Sequence, residues 1–330
     1  MPSRMGIISF AHLHAHSYAA SCNELEGVEL VGIWDEDAAR GQQAAEAYET
    51  EYFASLRALL GSDLDGVIVT SENARHKEHV LAAAGAGVDV LCEKPISISV
   101  PDAQEMIDAC FAAPVQLMIS YPCRYSPALQ RALGMVRAGE LGDILCIKGC
   151  NRGRNPGGWF NDPELAGGGA VMDHTVHVVD LMRLLLEDEP ARVYAEIDTV
   201  FDPNLKCDDM GLLTISFGGG CVATLDASWS RPPHYPIWGD VTMAVIGTGG
   251  NCWLDLFVEH LDAYFNEGSS YVWEPYGHNT DAGVIADFAR CAKSGEPVPI
   301  TGHDGLRAME VALAAYQSAR SGQPVGLPLG

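Results

Sequence analysis

Short, uninterrupted apolar runs alternate strictly with helix-periodic stretches through the first half of this chain, and no other feature restricts its fold as much. The pattern predicts strands over Gly6 to Phe10, Val28 to Trp34, Gly66 to Val69, Val88 to Cys92 and Val115 to Ile119. Helices are predicted between them over Ala15 to Leu25, Ala38 to Ala47, His76 to Ala86 and Pro101 to Ala112. Parallel strands need a crossover about as long as a helix, so strict alternation implies a parallel sheet with right-handed connections. The runs carry no polar alternation, as expected of strands covered by helices on both faces. A doubly wound α/β domain is therefore expected over 1–122.

After about Gly142 the texture changes. Runs at Ile144 to Lys148, Val193 to Val200, Leu212 to Phe217, Val222 to Ala227 and Val241 to Ile246 follow one another with turns between. The glycines of Phe217 to Cys221 and of Gly247 to Gly250 suit tight reversals. An α+β domain with a mostly antiparallel sheet is expected over 123–330, with helices at Ala170 to Leu186 and in the final forty residues. Two domains also suit the length, since 330 residues exceed one comfortable core.

Charge and composition exclude several classes. Forty-four acidic against twenty basic residues give a formal charge of -24, a field that repels phosphate backbones and anionic membranes and favours neutral ligands such as polyols or sugars unless arginines cluster locally. No nucleic-acid or membrane partner is expected, and no apolar stretch reaches the roughly 18 residues of a membrane-spanning helix. The ten cysteines form no C-x-x-C pair and read as small buried hydrophobes in a cytoplasmic protein. The start of the chain reads as a first strand and not as a signal peptide.

Three segments carry chemistry. Glu93-Lys94-Pro95 ends an apolar run, and proline stops the ladder there, leaving the lysine at the carboxyl rim of the sheet where such folds bind ligands. The loop Ser9-Phe10-Ala11-His12-Leu13-His14 stands where a dinucleotide-binding turn would carry G-x-G-x-x-G; the glycines are missing, but Ser9 and Ala11 are small enough for close backbone approach to a pyrophosphate. Asp35, 21 residues past His14, is placed to accept from a ribose hydroxyl, which favours NAD over NADP, while Arg40 nearby could hold a 2′-phosphate. The third segment, Gly167-Gly168-Gly169 followed by a helix, sets Asp173 and His177 four residues apart on one face, so that the carboxylate can orient the imidazole as a general base.

With these motifs the chain resembles the Gfo/Idh/MocA family over nearly its whole length. The likeness includes Asp65 to Thr70, Asn73, His76, Arg124-Tyr125-Ser126-Pro127, Gly139-Glu140-Leu141-Gly142 and Thr301-Gly302-His303-Asp304-Gly305. The resemblance implies an N-terminal Rossmann domain, a C-terminal domain with an open mixed sheet that builds dimers or tetramers, and NAD(P)-dependent redox chemistry on a ring carbinol of a sugar or cyclitol. It implies Lys94, Asp173 and His177 as the catalytic residues and Asp35, Ser71, Asn73 and Glu93 as cofactor contacts. Ser9, Phe10, Ala11, His12, Thr70, His76 and Lys94 complete the expected cofactor set, and Arg124, Arg152, Trp159 and His174 are the candidate substrate contacts. Two departures stand out: the glycine-poor first loop, and Ser71-Glu72 where many relatives have Pro-Asn. Two rival readings remain, a cofactor-free sensor of the same fold and a metal-dependent hydrolase using His12, His14 and His16.

Overall fold

Six parallel strands, each followed by its covering element, build the first part of the computed structural model, which describes residues 1–257, 259–264, 271–275 and 279–329. In chain order these are β1 (Ser3–Ile8), α1 (His14–Glu24), β2 (Val28–Trp34), α2 (Ala38–Ala47), β3 (Glu51–Tyr52), α3 (Leu56–Leu60), β4 (Gly66–Val69), α4 (His76–Gly85), β5 (Asp89–Cys92), α5 (Val100–Ala112) and β6 (Leu117–Ile119). The sheet order is β3-β2-β1-β4-β5-β6, the order of a dinucleotide-binding Rossmann sheet. Its central strands are buried on both faces, with Ile7, Ile8, Val67, Ile68, Val69, Val90 and Leu91 inaccessible. That burial explains why they read as continuous apolar runs. The short pair β3 and α3 gave no sequence signal, since two and five residues are too few to show a period.

Two compact units partition the chain. The first holds Met1–Pro122 together with Gly158–Gly168, which carries the short helix α7 (Pro163–Ala166), and Asp281–Glu310; the second holds Cys123–Gly157, Gly169–Thr280 and Val311–Gly330. The sequence suggested a single break between 122 and 123, whereas two later segments rejoin the first unit. Tertiary hydrogen bonds tie them in: Trp159 Nε1 donates to the Ala11 carbonyl at 3.0 Å, and Gln116 Nε2 donates to the Cys291 carbonyl at 3.3 Å. Such pairings across long sequence gaps leave no local pattern.

The second unit contains α6 (Pro127–Arg137), β7 (Ile144–Gly153), α8 (Ala170–Leu186), β8 (Pro190–Asp198), β9 (Met210–Phe217), β10 (Val222–Ser228), β11 (Gly239–Gly247) and β12 (Asn251–Asp255). A two-stranded ladder of β13 (His260–Tyr264) and β14 (Tyr271–Pro275) and a final strand, β15 (Val325–Gly326), complete its strands. Seven of these form a mixed sheet in the order β12-β11-β7-β10-β9-β8-β15, antiparallel except where β10 runs parallel to β7. The two glycine-rich segments are the β9–β10 and β11–β12 turns. Helix α8 is buried nearly all round and packs on the sheet, with Val171, Val178, Val179 and Met182 fully buried. The opposite sheet face alternates outward and leaves Leu212, Val222 and Trp253 exposed. All ten cysteines are free thiols, seven of them buried.

Candidate active site

In the first unit the carboxyl ends of β1, β2, β4, β5 and β6 bring most of the expected cofactor residues to one rim. Ser9 stands directly after β1 with φ +74°, the left-handed region that a side chain disfavours. Hydrogen bonds on all sides hold it there. Its N–H donates to the Trp34 carbonyl at 2.7 Å, its carbonyl accepts from Thr70 Oγ1 at 2.6 Å, and its Oγ accepts from the Ala11 N–H at 3.2 Å. Phe10 N–H donates to Asp35 Oδ2 at 2.7 Å, and His12 N–H donates to the Thr70 carbonyl at 2.9 Å. A serine thus occupies a glycine conformation because its neighbours over-determine it.

Asp35 is buried and shared. Arg40 grips it with a planar fork, Nε to Oδ2 and Nη2 to Oδ1, both at 2.7 Å, and Asp37 N–H adds a bond to Oδ1 at 2.9 Å. The sequence placed Asp35 as a ribose acceptor and Arg40 as a rival phosphate ligand; the fork makes one neutral unit of the two. The hydrogen bonds to Asp35 hold the Arg40 guanidinium above its already high value.

Beyond β4, Ser71 Oγ meets His79 Nδ1 at 2.8 Å, and His76 spans the Ser71 and Pro95 carbonyls at 3.1 and 3.0 Å. His76 therefore braces two rim loops against each other, and burial pushes its pKa down. Burial, with help from His76 and Arg75, lowers His79 to about 4. Asn73 donates from Nδ2 to the Ala166 carbonyl at 2.8 Å, while its buried Oδ1 has no protein donor.

At the end of β5, Glu93 is inaccessible to solvent, and Lys94 is nearly so. The Glu93 carboxylate accepts from the Tyr18 hydroxyl, from His14 Nδ1 at 2.9 Å and from the Lys94 N–H at 2.9 Å; Tyr18 in turn meets Ser120 Oγ at 2.5 Å. Burial alone would raise the Glu93 pKa, but His12 and His14 outweigh it and hold the carboxylate below its usual range. The reverse holds for His14, where burial lowers and Glu93 raises, with a net rise. His12, His14 and Glu93 offer ligand atoms within 4.8 Å of one another, a set that could hold a metal ion. His16 is not part of it, because its Nδ1 lies 3.0 Å from the Tyr48 hydroxyl. The three-histidine ligand set of the hydrolase reading is thus not assembled.

Trp159, expected to touch substrate, belongs to this rim. Its ring stacks on Phe160 at 4.0 Å between centroids while its indole N–H closes onto the first loop.

The second unit positions the other candidates on α8. The start of that helix is capped by residues the sequence did not reveal: Asp208 accepts from the N–H groups of Gly169 at 2.9 Å and Val171 at 2.8 Å, and the Tyr316 hydroxyl accepts from Gly169 at 3.1 Å and Met172 at 3.2 Å. A Cβ on Gly169 would stand 1.9 Å from the Asp208 carbonyl oxygen, so only glycine admits this cap. Asp173 and His177 share the helix four residues apart, as expected. Asp173 Oδ2 accepts from the Trp229 indole at 3.2 Å and lies 3.3 Å from His174 Nε2.

Two expected substrate contacts are engaged within the protein. Arg124 forks onto the fully buried Asp180 of α8, Nε to Oδ2 at 2.7 Å and Nη2 to Oδ1 at 2.5 Å. Arg152 binds Asp240, its register neighbour across β7 and β11, at 2.8 and 3.3 Å.

A cavity of about 540 Å³ opens in the same unit, lined in part by Arg154, Trp229, Arg231 and Trp238. Sequence reasoning missed these residues. Their only signal was a density of arginine and tryptophan around the ends of β7, β10 and β11.

Comparison with known proteins agrees with this architecture. Residues 4–121 match the model of an oxidoreductase family with an NAD-binding Rossmann fold, and residues 129–252 match the GFO/IDH/MocA C-terminal domain. A D-xylose 1-dehydrogenase (NADP(+)) of Haloferax volcanii is 30% identical over 91% of this chain and 92% of its own. A scyllo-inositol 2-dehydrogenase (NAD(+)) of Bacillus subtilis is 25% identical over 98% and 95%. Among solved structures, GenD2 from gentamicin A biosynthesis, in complex with NAD, superposes with a TM-score of 0.91 at 24% identity over 99% of this chain and 97% of its own.

Proposed function

The chain belongs to the Gfo/Idh/MocA oxidoreductase family, and on that premise we propose that it interconverts a ring carbinol and its ketone on a sugar, cyclitol or related polyol with NAD as its preferred cofactor. The observation that carries this reading is the rim of the parallel sheet, where Ser9 to His12, Thr70 to Asn73 and Glu93-Lys94 gather at the strand ends. The buried Asn73 Oδ1 without a protein donor fits a hydroxyl or amide of such a cofactor. Asp35 favours NAD, because a 2′-phosphate would meet a carboxylate whose arginine is already bound to it.

When bound, the cofactor supplies the hydride acceptor. His177 takes the hydroxyl proton, Asp173 fixes the orientation of the imidazole and of a substrate hydroxyl, and the Lys94 ammonium stabilises the developing alkoxide. A buried ammonium aimed at that oxygen is worth about 100-fold or more in rate. Lys94→Met should therefore lower turnover at least that far in a screen of aldoses and inositols read at the absorbance of reduced cofactor; a change of only a few-fold would remove the lysine from the chemistry.

NADH titration followed by energy transfer from tryptophan tests the cofactor independently. Saturable binding below about 1 mM is expected, and its absence would favour the cofactor-free sensor. The exposed Leu212, Val222 and Trp253 support a homodimer or homotetramer contact on the open sheet face. A monomer in light scattering at working concentration would refute that assembly. Among the described residues no helix is long and apolar enough to cross a membrane.

A further inference from the structure

The cavity of the second unit combines aromatic plates with a cation that the protein leaves unneutralised. Trp229 is buried and lines the cavity, with its N–H on Asp173. Trp238 presents its ring beneath the Arg154 guanidinium, 5.6 Å from the centroid. Arg154 Nη1 donates to the Pro233 carbonyl at 3.2 Å, its Nε is buried without a partner, and no carboxylate among the described residues pairs with it. Arg231 stands beside it, its guanidinium 4.1 Å from the Tyr235 ring centroid and one end on Asp240, again with a buried and unpartnered Nε.

The two acids of the lining bond to backbone and amide N–H groups and not to Arg154. Asp209 turns both oxygens to the backbone, accepting from the N–H groups of Val200, Phe201 and Asp202 at 2.6, 2.9 and 2.8 Å. Asp202 Oδ1 takes the N–H and the amide of Asn204, both at 3.0 Å. In a chain of formal charge -24 the lining, with two arginines against two aspartates, is locally balanced, and Arg154 is its cation without an acid partner among the described residues. A guanidinium without a carboxylate partner, such as that of Arg154, matches the planar fork of a carboxylate or the oxygens of a phosphate, and tryptophan faces match the apolar face of a pyranose or cyclohexane ring.

We propose that this cavity is the substrate subsite and that its ligand is a sugar or cyclitol ring bearing an anionic group, received by Arg154 with the ring against Trp229 and Trp238. The contact of Trp229 with Asp173 places the ring beside the acid assigned to the reaction. The word substrate rests on the oxidoreductase reading; the binding itself does not, and the test is made without cofactor.

Full-length protein is titrated calorimetrically with D-glucose, D-glucuronate and D-glucose 6-phosphate at about 50 mM and about 500 mM salt. At least one of the two anions should bind about tenfold tighter than glucose at low salt, with the preference shrinking at high salt, and which anion wins separates carboxylate from phosphate recognition. Arg154→Gln should bring the anion-to-neutral ratio close to one, and Arg154→Lys should keep part of it. The proposal fails if glucose binds as well as both anions, if none of the three binds, or if Arg154→Gln retains the preference. Should Arg154→Gln not fold, the salt dependence of the wild-type protein and the Arg154→Lys ratio decide alone. A protein that binds the anion but not NADH would keep this site and lose the dehydrogenase reading.

Discussion

The chain enters α1 and α8, the two helices next to its candidate chemistry, in opposite ways. Before α1 a serine occupies the left-handed conformation, and the loop amides are satisfied by side chains: Phe10 N–H by Asp35, Ala11 N–H by Ser9 and His14 N–H by His12 Nδ1 at 3.1 Å. Before α8 three glycines remove every side chain, and Asp208 with Tyr316 caps the helix from elsewhere in the unit. The first solution tolerates a Cβ at a cost of about 1–2 kcal/mol, offset by hydrogen bonds. The second tolerates none at Gly169. Loss of a glycine fingerprint is therefore not loss of the geometry that the glycines usually provide.

Three substitutions break or sharpen this contrast, from the largest expected effect downward. Gly169→Ala drives a methyl into the Asp208 backbone and should destabilise by roughly 3 kcal/mol, seen as a lower melting temperature with α8 signals lost first in hydrogen exchange. A variant as stable as wild type would show that the cap can move aside.

Glu93→Gln comes next, at about 2 kcal/mol, because it neutralises the acceptor of Tyr18, His14 and Lys94. It also changes the pH response. The folded pKa of His14 lies above 6.5, so its contribution is complete below that pH and fades as pH rises through the folded value. The folded pKa of Glu93 lies below 4.5, so its contribution is complete above that pH and fades only in acid. Wild type should lose stability from about pH 6.5 upward through the His14 value, and Glu93→Gln should flatten that decline; parallel melting curves for the two proteins across this range would contradict the pairing.

The smallest effect belongs to Ser9→Gly. It relieves the left-handed strain but gives up long bonds to Ala11 and Arg40, at 3.2 and 3.4 Å, and adds backbone freedom to the unfolded chain. Stability should change by less than about 1 kcal/mol with NADH binding retained. A tenfold loss of NADH affinity would show that the hydroxyl itself holds the loop in its binding shape.

Much of the fold could be read from local pattern. The central strands are continuous apolar runs because both faces are covered, and that burial writes itself directly into the sequence. Helix α8, the turns after β9 and β11, and the position of Lys94 at a strand end were legible for the same reason. The two segments that rejoin the first unit were not, nor were β3 and α3, which are too short to carry a period.

At the site the division is sharper. Residue types and spacing indicated Asp35, Lys94, Asp173 and His177, because an acid after a second strand, a lysine before a proline and an acid four residues from a histidine on one helix are local arrangements. Partners were decided only in three dimensions. Arg124 and Arg152 read as substrate ligands until Asp180, 56 residues away, and Asp240, 88 away, were found to hold them. Arg154, two residues from Arg152 in sequence, has no acid partner among the described residues and keeps a buried, unpartnered Nε. Periodicity and turn chemistry act over a few residues and so survive in the sequence, whereas which charge is neutralised and which faces a cavity depends on packing between distant segments.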